Sequence, residues 1–205
     1  MIGKANYNLK LSRQELKELL SIIPWDGHKW DKPPTGNISN IISKIRKQLE
    51  SCQSVCSYCG LPLYGTSRGE IEHIAAKATK FRHPEFTFTL KNLTLSCHWC
   101  NTSEKKGTKE TILQKHKIYS KCEFNIVHPY FDDPDDHYEW TDNNVEVLIQ
   151  VKNNSSKGKL SIEMFGLDSL KMNEHRAMKI RFQELKNNLP LPMEDEELIK
   201  RILEK

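Results

Sequence analysis

Two Cys-x-x-Cys pairs, Cys56-Ser57-Tyr58-Cys59 and Cys97-His98-Trp99-Cys100, constrain this 205-residue chain more than any other feature. The spacing lets two thiolates from one tight turn point at a single tetrahedral centre about 2.3 Å away, and two such turns complete a four-cysteine site. Zn²⁺ is the expected ion, because four sulfurs fill its coordination and leave no position open for water; iron is disfavoured by the lack of further cluster ligands. Gly60 suits the turn after the first pair, while Cys52 and Cys122 fall outside the pattern and read as plain thiols. The 37 residues between the pairs exceed what a simple zinc ribbon needs. The ion is therefore expected to clamp the base of an inserted, functional substructure.

Composition supports a fold held partly by a metal. Only 37% of residues are hydrophobic, and the mean hydropathy is −0.65, which is low even for a soluble domain. No run of apolar residues exceeds three, whereas a membrane span needs about 20. The opening MIGKANYNLKLS lacks an apolar segment, so a cytoplasmic, reducing setting with no membrane contact and with thiols rather than disulfides is expected. The net charge of +4 is unevenly spread: Ala75 to Lys121 holds ten Lys/Arg against three acids, a local +7, and the remainder sums to −3. Such a stretch can serve as a phosphate-binding face or stand as a solvated lysine-rich surface.

Ser12-Arg13-Gln14-Glu15 is a capping box ahead of Leu16, Leu19, Leu20 and Ile23, predicting a helix to about Ser21 that stops before Pro24. After a Pro/Gly-containing loop, Ile38, Ile41, Ile42, Ile45 and Leu49 recur at helical spacing. Glu70 to Ala75 and Leu93 to Ser96 read as short strands. Beyond the module, Tyr138 to Thr141, Val145 to Val151 and Leu160 to Phe165 read as β, joined by the turns Asp142-Asn143-Asn144 and Asn153 to Gly158. Met178, Phe182, Leu185 and Leu189 share one helical face, and Leu198 and Ile202 mark a last helix after the acidic run Glu194 to Glu197.

Within and just after the insert stand Glu70-Ile71-Glu72-His73-Ile74, then Asn92-Leu93 ahead of Cys97, then Cys100-Asn101 with Lys105-Lys106-Gly107 behind it. From Cys56 to Gly107, a span of 52 residues, the chain resembles the HNH endonucleases. The resemblance implies a zinc-stabilised ββα-metal module at 55–122. With the elements read on either side of it, an α+β fold is expected, with an N-terminal helical extension at 1–54 and a C-terminal extension at 123–205 with a small antiparallel sheet and helices. In the module a hairpin would carry His73 and a helix starting near Asn101 would return a ligand to it.

His73 would be the general base, since neutral imidazole near pH 7 can take a proton from an attacking water. By the same resemblance Glu72 and Asn101 would hold Mg²⁺ or Mn²⁺ through oxygen atoms, and Asn92 would fix the histidine loop. Glu72 and His73 point to opposite faces of a regular strand, so a bulge or twist is expected to unite them. Glu70, two residues back on the Glu72 face, could share or replace its ligand role. Asn101 stands where the motif has its last His, Glu72 where Asp is frequent, and Ala75-Ala76-Lys77 where Pro-Lys is expected. His83, His98 and His116 are rivals in residue type only. Lys77, Lys105, Lys106 and Lys109 are the candidate nucleic-acid contacts, with duplex DNA favoured for want of an aromatic-rich stacking surface.

Further downstream, His83-Pro84-Glu85, Pro129, Asp133 to His137 and Gly166-Leu167-Asp168 ahead of Arg176 resemble the HNH subunits of Septu- and retron-type anti-phage systems. That implies an ABC-type ATPase partner, docked through the acidic loop Asp132 to Asp136 or the N-terminal helices. Two other functions fit the same residues: a non-catalytic zinc-stabilised nucleic-acid-binding module, and an adaptor whose helices bind protein.

Overall fold

The computed structural model describes residues 2–64, 68–77, 83–141 and 147–188, with side chains of the last helix as far as 184. The expectations for Lys80, Arg82, the turn at 142–144, Leu185, Leu189 and residues 194–202 lie outside what it describes.

Helix α1 (Arg13–Ser21) opens with the capping box: the Glu15 amide donates to Ser12 Oγ at 3.2 Å, and the Ser12 amide donates to the Glu15 carboxylate at 2.6 Å. Two orphan amides of the first turn are thus satisfied. A short helix, α2 (Gly27–Asp31), interrupts the segment read as loop; Asp26 caps it by accepting from the Lys29 amide at 2.8 Å. Helix α3 (Gly36–Cys52) buries Ile38, Ile41, Ile45 and Leu49, none more than 3% exposed, and packs on α1. Directly after it, buried Gln53 ties three segments together. Its Oε1 accepts from Tyr7 Oη and the Leu95 amide, and its Nε2 donates to Ser57 Oγ and to the carbonyls of Val55 and Leu95.

Strand β1 (Glu70–His73) pairs antiparallel with β2 (Leu93–Ser96) in continuous register, Glu70 opposite Ser96 and His73 opposite Leu93. No bulge interrupts the pairing, so the expected union of Glu72 and His73 on one face does not occur; regular pleating sends them to opposite faces. Helix α4 (His98–Asn101) is a single turn. The helix expected to start near Asn101 is therefore absent: Asn101 ends the turn, and the chain continues through bends to Gly107. Two further two-stranded sheets follow, β3 (Ile112–Gln114) with β4 (Glu123–Phe124) and β5 (Tyr138–Trp140) with β6 (Ile149–Val151).

Leu160 to Phe165 belongs to helix α5 (Ser156–Phe165), not to a strand. Ser155 caps it, accepting from the Gly158 amide at 3.0 Å, and Gly158, Ser161, Ile162 and Phe165 face inward at helical spacing. Gly158 is required by close packing, because a Cβ there would collide with the His137 carbonyl. In helix α6 (Leu170–Asn188), inward contact is made by Met172 and Arg176, whereas Met178 and Phe182 are 65% and 69% exposed. The shared apolar face read in the sequence thus points outward at its two described residues.

One hydrophobic cluster runs through all three sequence regions, from Ile2 and Leu19 through α3, the cysteines and Leu93 to Phe165 and Met172. A smaller one gathers Ala75, Phe86, Ile112, Tyr119, Cys122 and Phe124. Among the described residues, no helix is long and apolar enough to cross a membrane.

Candidate metal centre and active site

Cys56 and Cys59 arrive on a turn closed by the Val55–Pro62 bridge, and Gly60, at φ 70°, lets its amide donate to the Cys56 carbonyl at 2.9 Å. Cys97 and Cys100 bracket the α4 turn at the end of β2. All four Sγ atoms lie within 4.8 Å of one another, with Cys59 and Cys97 3.9 Å apart. Tetrahedral thiolates about 2.3 Å from one ion stand roughly 3.8 Å from each other, so the cluster fits zinc. Hydrogen bonds from Cys100, Cys56 and Cys59 hold the Cys97 thiol far below its ordinary range. Hydrogen bonding to Cys56, Cys59 and Cys97 pushes the Cys100 thiol well above that range, so the four sulfurs share protons as one set of donors of the kind Zn²⁺ takes.

On the hairpin, Glu70 and Glu72 share one face. The Glu70 carboxylate accepts from Asn101 Nδ2 at 2.7 Å and meets His98 Nδ1 at 2.9 Å. Glu72, 4% exposed, is ion-paired with Lys106, itself 1% exposed. The ammonium also donates to the His73 carbonyl at 2.6 Å. Burial raises the Glu72 pKa, and Lys106 opposes that shift. Asn101 bonds to Glu70, the residue that can share or replace the ligand role of Glu72, since the α4 turn delivers it to the start of β1. One expectation is corrected here. Lys106 is not available to a phosphate, because its charge is spent inside on Glu72.

The other candidate lysines lie nearer solvent. Lys77 Nζ pairs with Asp31 at 2.7 Å, Lys105 Nζ lies 5.2 Å from the Trp99 ring centroid, and Lys109 Nζ donates to the Glu104 carbonyl at 2.7 Å.

His73 closes β1 on the opposite face. Its Nε2 lies 3.0 Å from the Thr87 carbonyl, which can only accept, so Nε2 carries the proton and Nδ1 keeps a lone pair. The Trp30 ring meets the imidazole edge-on, with centroids 4.7 Å apart. Burial, with help from Lys77, pushes the His73 pKa down to about 3, so the ring is neutral at pH 7. The loop beyond His73 is pinned by Asn92. Its Oδ1 accepts from the Ala75 amide at 2.7 Å, and its Nδ2 donates to the carbonyls of Ala75 and Phe86 at 3.1 and 3.0 Å.

The structure brings Glu70, His98 and Asn101 together, and separately Glu72 with Lys106. His83 is occupied by Glu110 at 2.9 Å. His98, a rival in residue type only by its sequence, lies three residues before Asn101, and that spacing is the available signal, since such residues share a helical face. Trp30 and Gln53 carried no local signal, because both act across more than 40 residues of sequence.

The chain is similar to the Septu protein PtuB of Bacillus mycoides (strain KBAB4), with 29% identity over 146 residues, covering 64% of this chain and 48% of that protein. It spans about half the length of the curated relative it matches. No family model and no solved structure matches it.

Proposed function

We propose that the protein is a metal-dependent HNH endonuclease that hydrolyses DNA phosphodiester bonds as part of a Septu-type anti-phage system. The observation that carries this reading is a neutral imidazole held in one tautomer. With Nε2–H on the Thr87 carbonyl, His73 presents Nδ1 as the nitrogen that takes the proton of an attacking water. Asn92 holds the loop that aims it. Lys77, Lys105 and Lys109 receive the flanking phosphates, Lys77 by exchanging Asp31 for a phosphate oxygen.

Glu70, Glu72 and Asn101 offer oxygen donors of the kind Mg²⁺ or Mn²⁺ prefers. Glu70 and Asn101 are the more accessible pair, because Lys106 holds Glu72. Such a cation, when bound, would stabilise charge on the phosphate and the departing oxygen. The similarity to a Septu protein supports the defence role and a protein partner, for which an ABC-type ATPase is our candidate.

The burial of His73 under Trp30 favours a second reading, a zinc-stabilised module that binds DNA without cutting it. Plasmid cleavage with Mg²⁺ or Mn²⁺, wild type against His73→Ala, with and without neighbouring gene products, separates the two. Loss of cutting in the variant, with zinc content unchanged and a fold that persists at a lowered melting temperature because the imidazole is buried, is the expected result. Cutting that survives His73→Ala removes His73 from the mechanism, and retention of DNA without any cutting selects the second reading.

A further inference from the structure

Behind Asn92 lies a buried polar chain of Tyr119 and His128. His128 is fully buried and Tyr119 is 5% exposed. The Tyr130 amide donates to His128 Nδ1 at 3.1 Å, so Nδ1 holds the lone pair and Nε2 the proton of the neutral ring. Nε2 stands 2.9 Å from the Tyr119 hydroxyl, which in turn stands 2.9 Å from Asn92 Oδ1, an atom that can only accept. One direction satisfies every group: His128 donates to Tyr119, and Tyr119 donates to Asn92.

The Tyr119 hydroxyl thus joins the Ala75 amide in holding Oδ1, which fixes the Asn92 amide in one of its two flips and leaves Nδ2 to hold the carbonyls of Ala75 and Phe86. Ala75 lies two residues beyond His73, and Phe86 precedes Thr87, whose carbonyl takes the His73 proton. We propose that Tyr119 and His128 are positioning residues for His73, setting the Asn92 amide and through it both ends of the loop that fixes the imidazole tautomer. The inference rests on the reading of His73 as the base. Aromatic packing keeps the chain dry: the His128 ring stacks on Phe131 at 4.2 Å and lies 4.3 Å from Phe124. Burial holds His128 neutral, with its pKa down to about 3.

Three variants test this: Tyr119→Phe removes the hydroxyl, His128→Leu removes the donor, and His128→Gln keeps an N–H. Nitrogen-15 spectra of the imidazoles and hydrogen exchange at the Ala75 amide read the loop without any cleavage assay. In Tyr119→Phe and His128→Leu the His73 ring is expected to lose its single tautomer. Ala75 exchange should quicken about tenfold, the worth of one buried hydrogen bond. His128→Gln should keep wild-type values, and kcat for cleavage should fall with KM unchanged wherever the tautomer is lost. Wild-type spectra and exchange in Tyr119→Phe and His128→Leu overturn the proposal. So does behaviour of His128→Gln that matches His128→Leu, including a shared failure to fold, since packing alone then explains the site. The expected spectra combined with a wild type that cuts nothing would leave the positioning chain standing and remove the nuclease reading instead.

Discussion

At the scale of single residues, a burial that isolates a charge or leaves a proton no room sets the sharpest expectations. Removing one partner of the Glu72–Lys106 pair strands the other in the interior. Lys106→Met should therefore cost about 3–5 kcal/mol in urea unfolding, and the double variant with Glu72→Gln should recover part of the loss. Cys97→Ser should lose the zinc that the four cysteines are expected to hold, by metal analysis, and lower the melting temperature of the whole chain, because a structural ion contributes folding free energy directly.

His128 gives a pH signature. Its folded pKa is depressed by burial, with Asp132 raising it and Lys157 and Lys91 lowering it. The unfolded chain binds the proton more readily, so the stabilisation is complete above the ordinary histidine range near 6.5. It is lost as pH falls from there toward 3, by about 1.4 kcal/mol per pH unit. A flat stability profile between pH 6.5 and 4 in wild type, or one unchanged in His128→Phe, would contradict it.

Among elements, those legible in the sequence carry their signal within a few residues. The Ser12 capping box, the Ile38 to Leu49 stripe and the Leu93 to Ser96 strand end as read because local propensity and final environment agree. Helix α5 does not. Leu160, Ile162 and Met164 alternate like a strand, but the Ser155 cap and the fit of Gly158 under His137 decide for a helix. The cap is a local signal, three residues from its donor, whereas the fit of Gly158 is tertiary. The cysteines of the candidate centre were legible from spacing alone, whereas the exchange of partners between Glu70, Glu72, Asn101 and Lys106 was not, since it depends on how the α4 turn meets β1. Helix α2, read as loop, lays Trp30 over His73. Trp30→Ala should speed carbethoxylation of His73 severalfold as followed by mass spectrometry, with no such change at exposed His98.

For the whole molecule, the shared core means that the N-terminal helices, the cysteine turns and α5 stand or fall together. Stripping the metal with a strong chelator should lower a single melting transition rather than release one part alone; two separate transitions by helical and aromatic signals would show independent units. The same compactness alters how the chain looks to an approaching polyanion. Lys106 contributes to the basic tally of its stretch, yet its ammonium is cancelled within the protein by Glu72, and Asp31 cancels Lys77 at the surface. Viewed from a Debye length away, the face is weaker by two positive charges than a count of letters suggests. One of those two can be won back, since displacing the outer aspartate re-exposes its lysine, while the inner charge stays hidden for as long as the protein is folded.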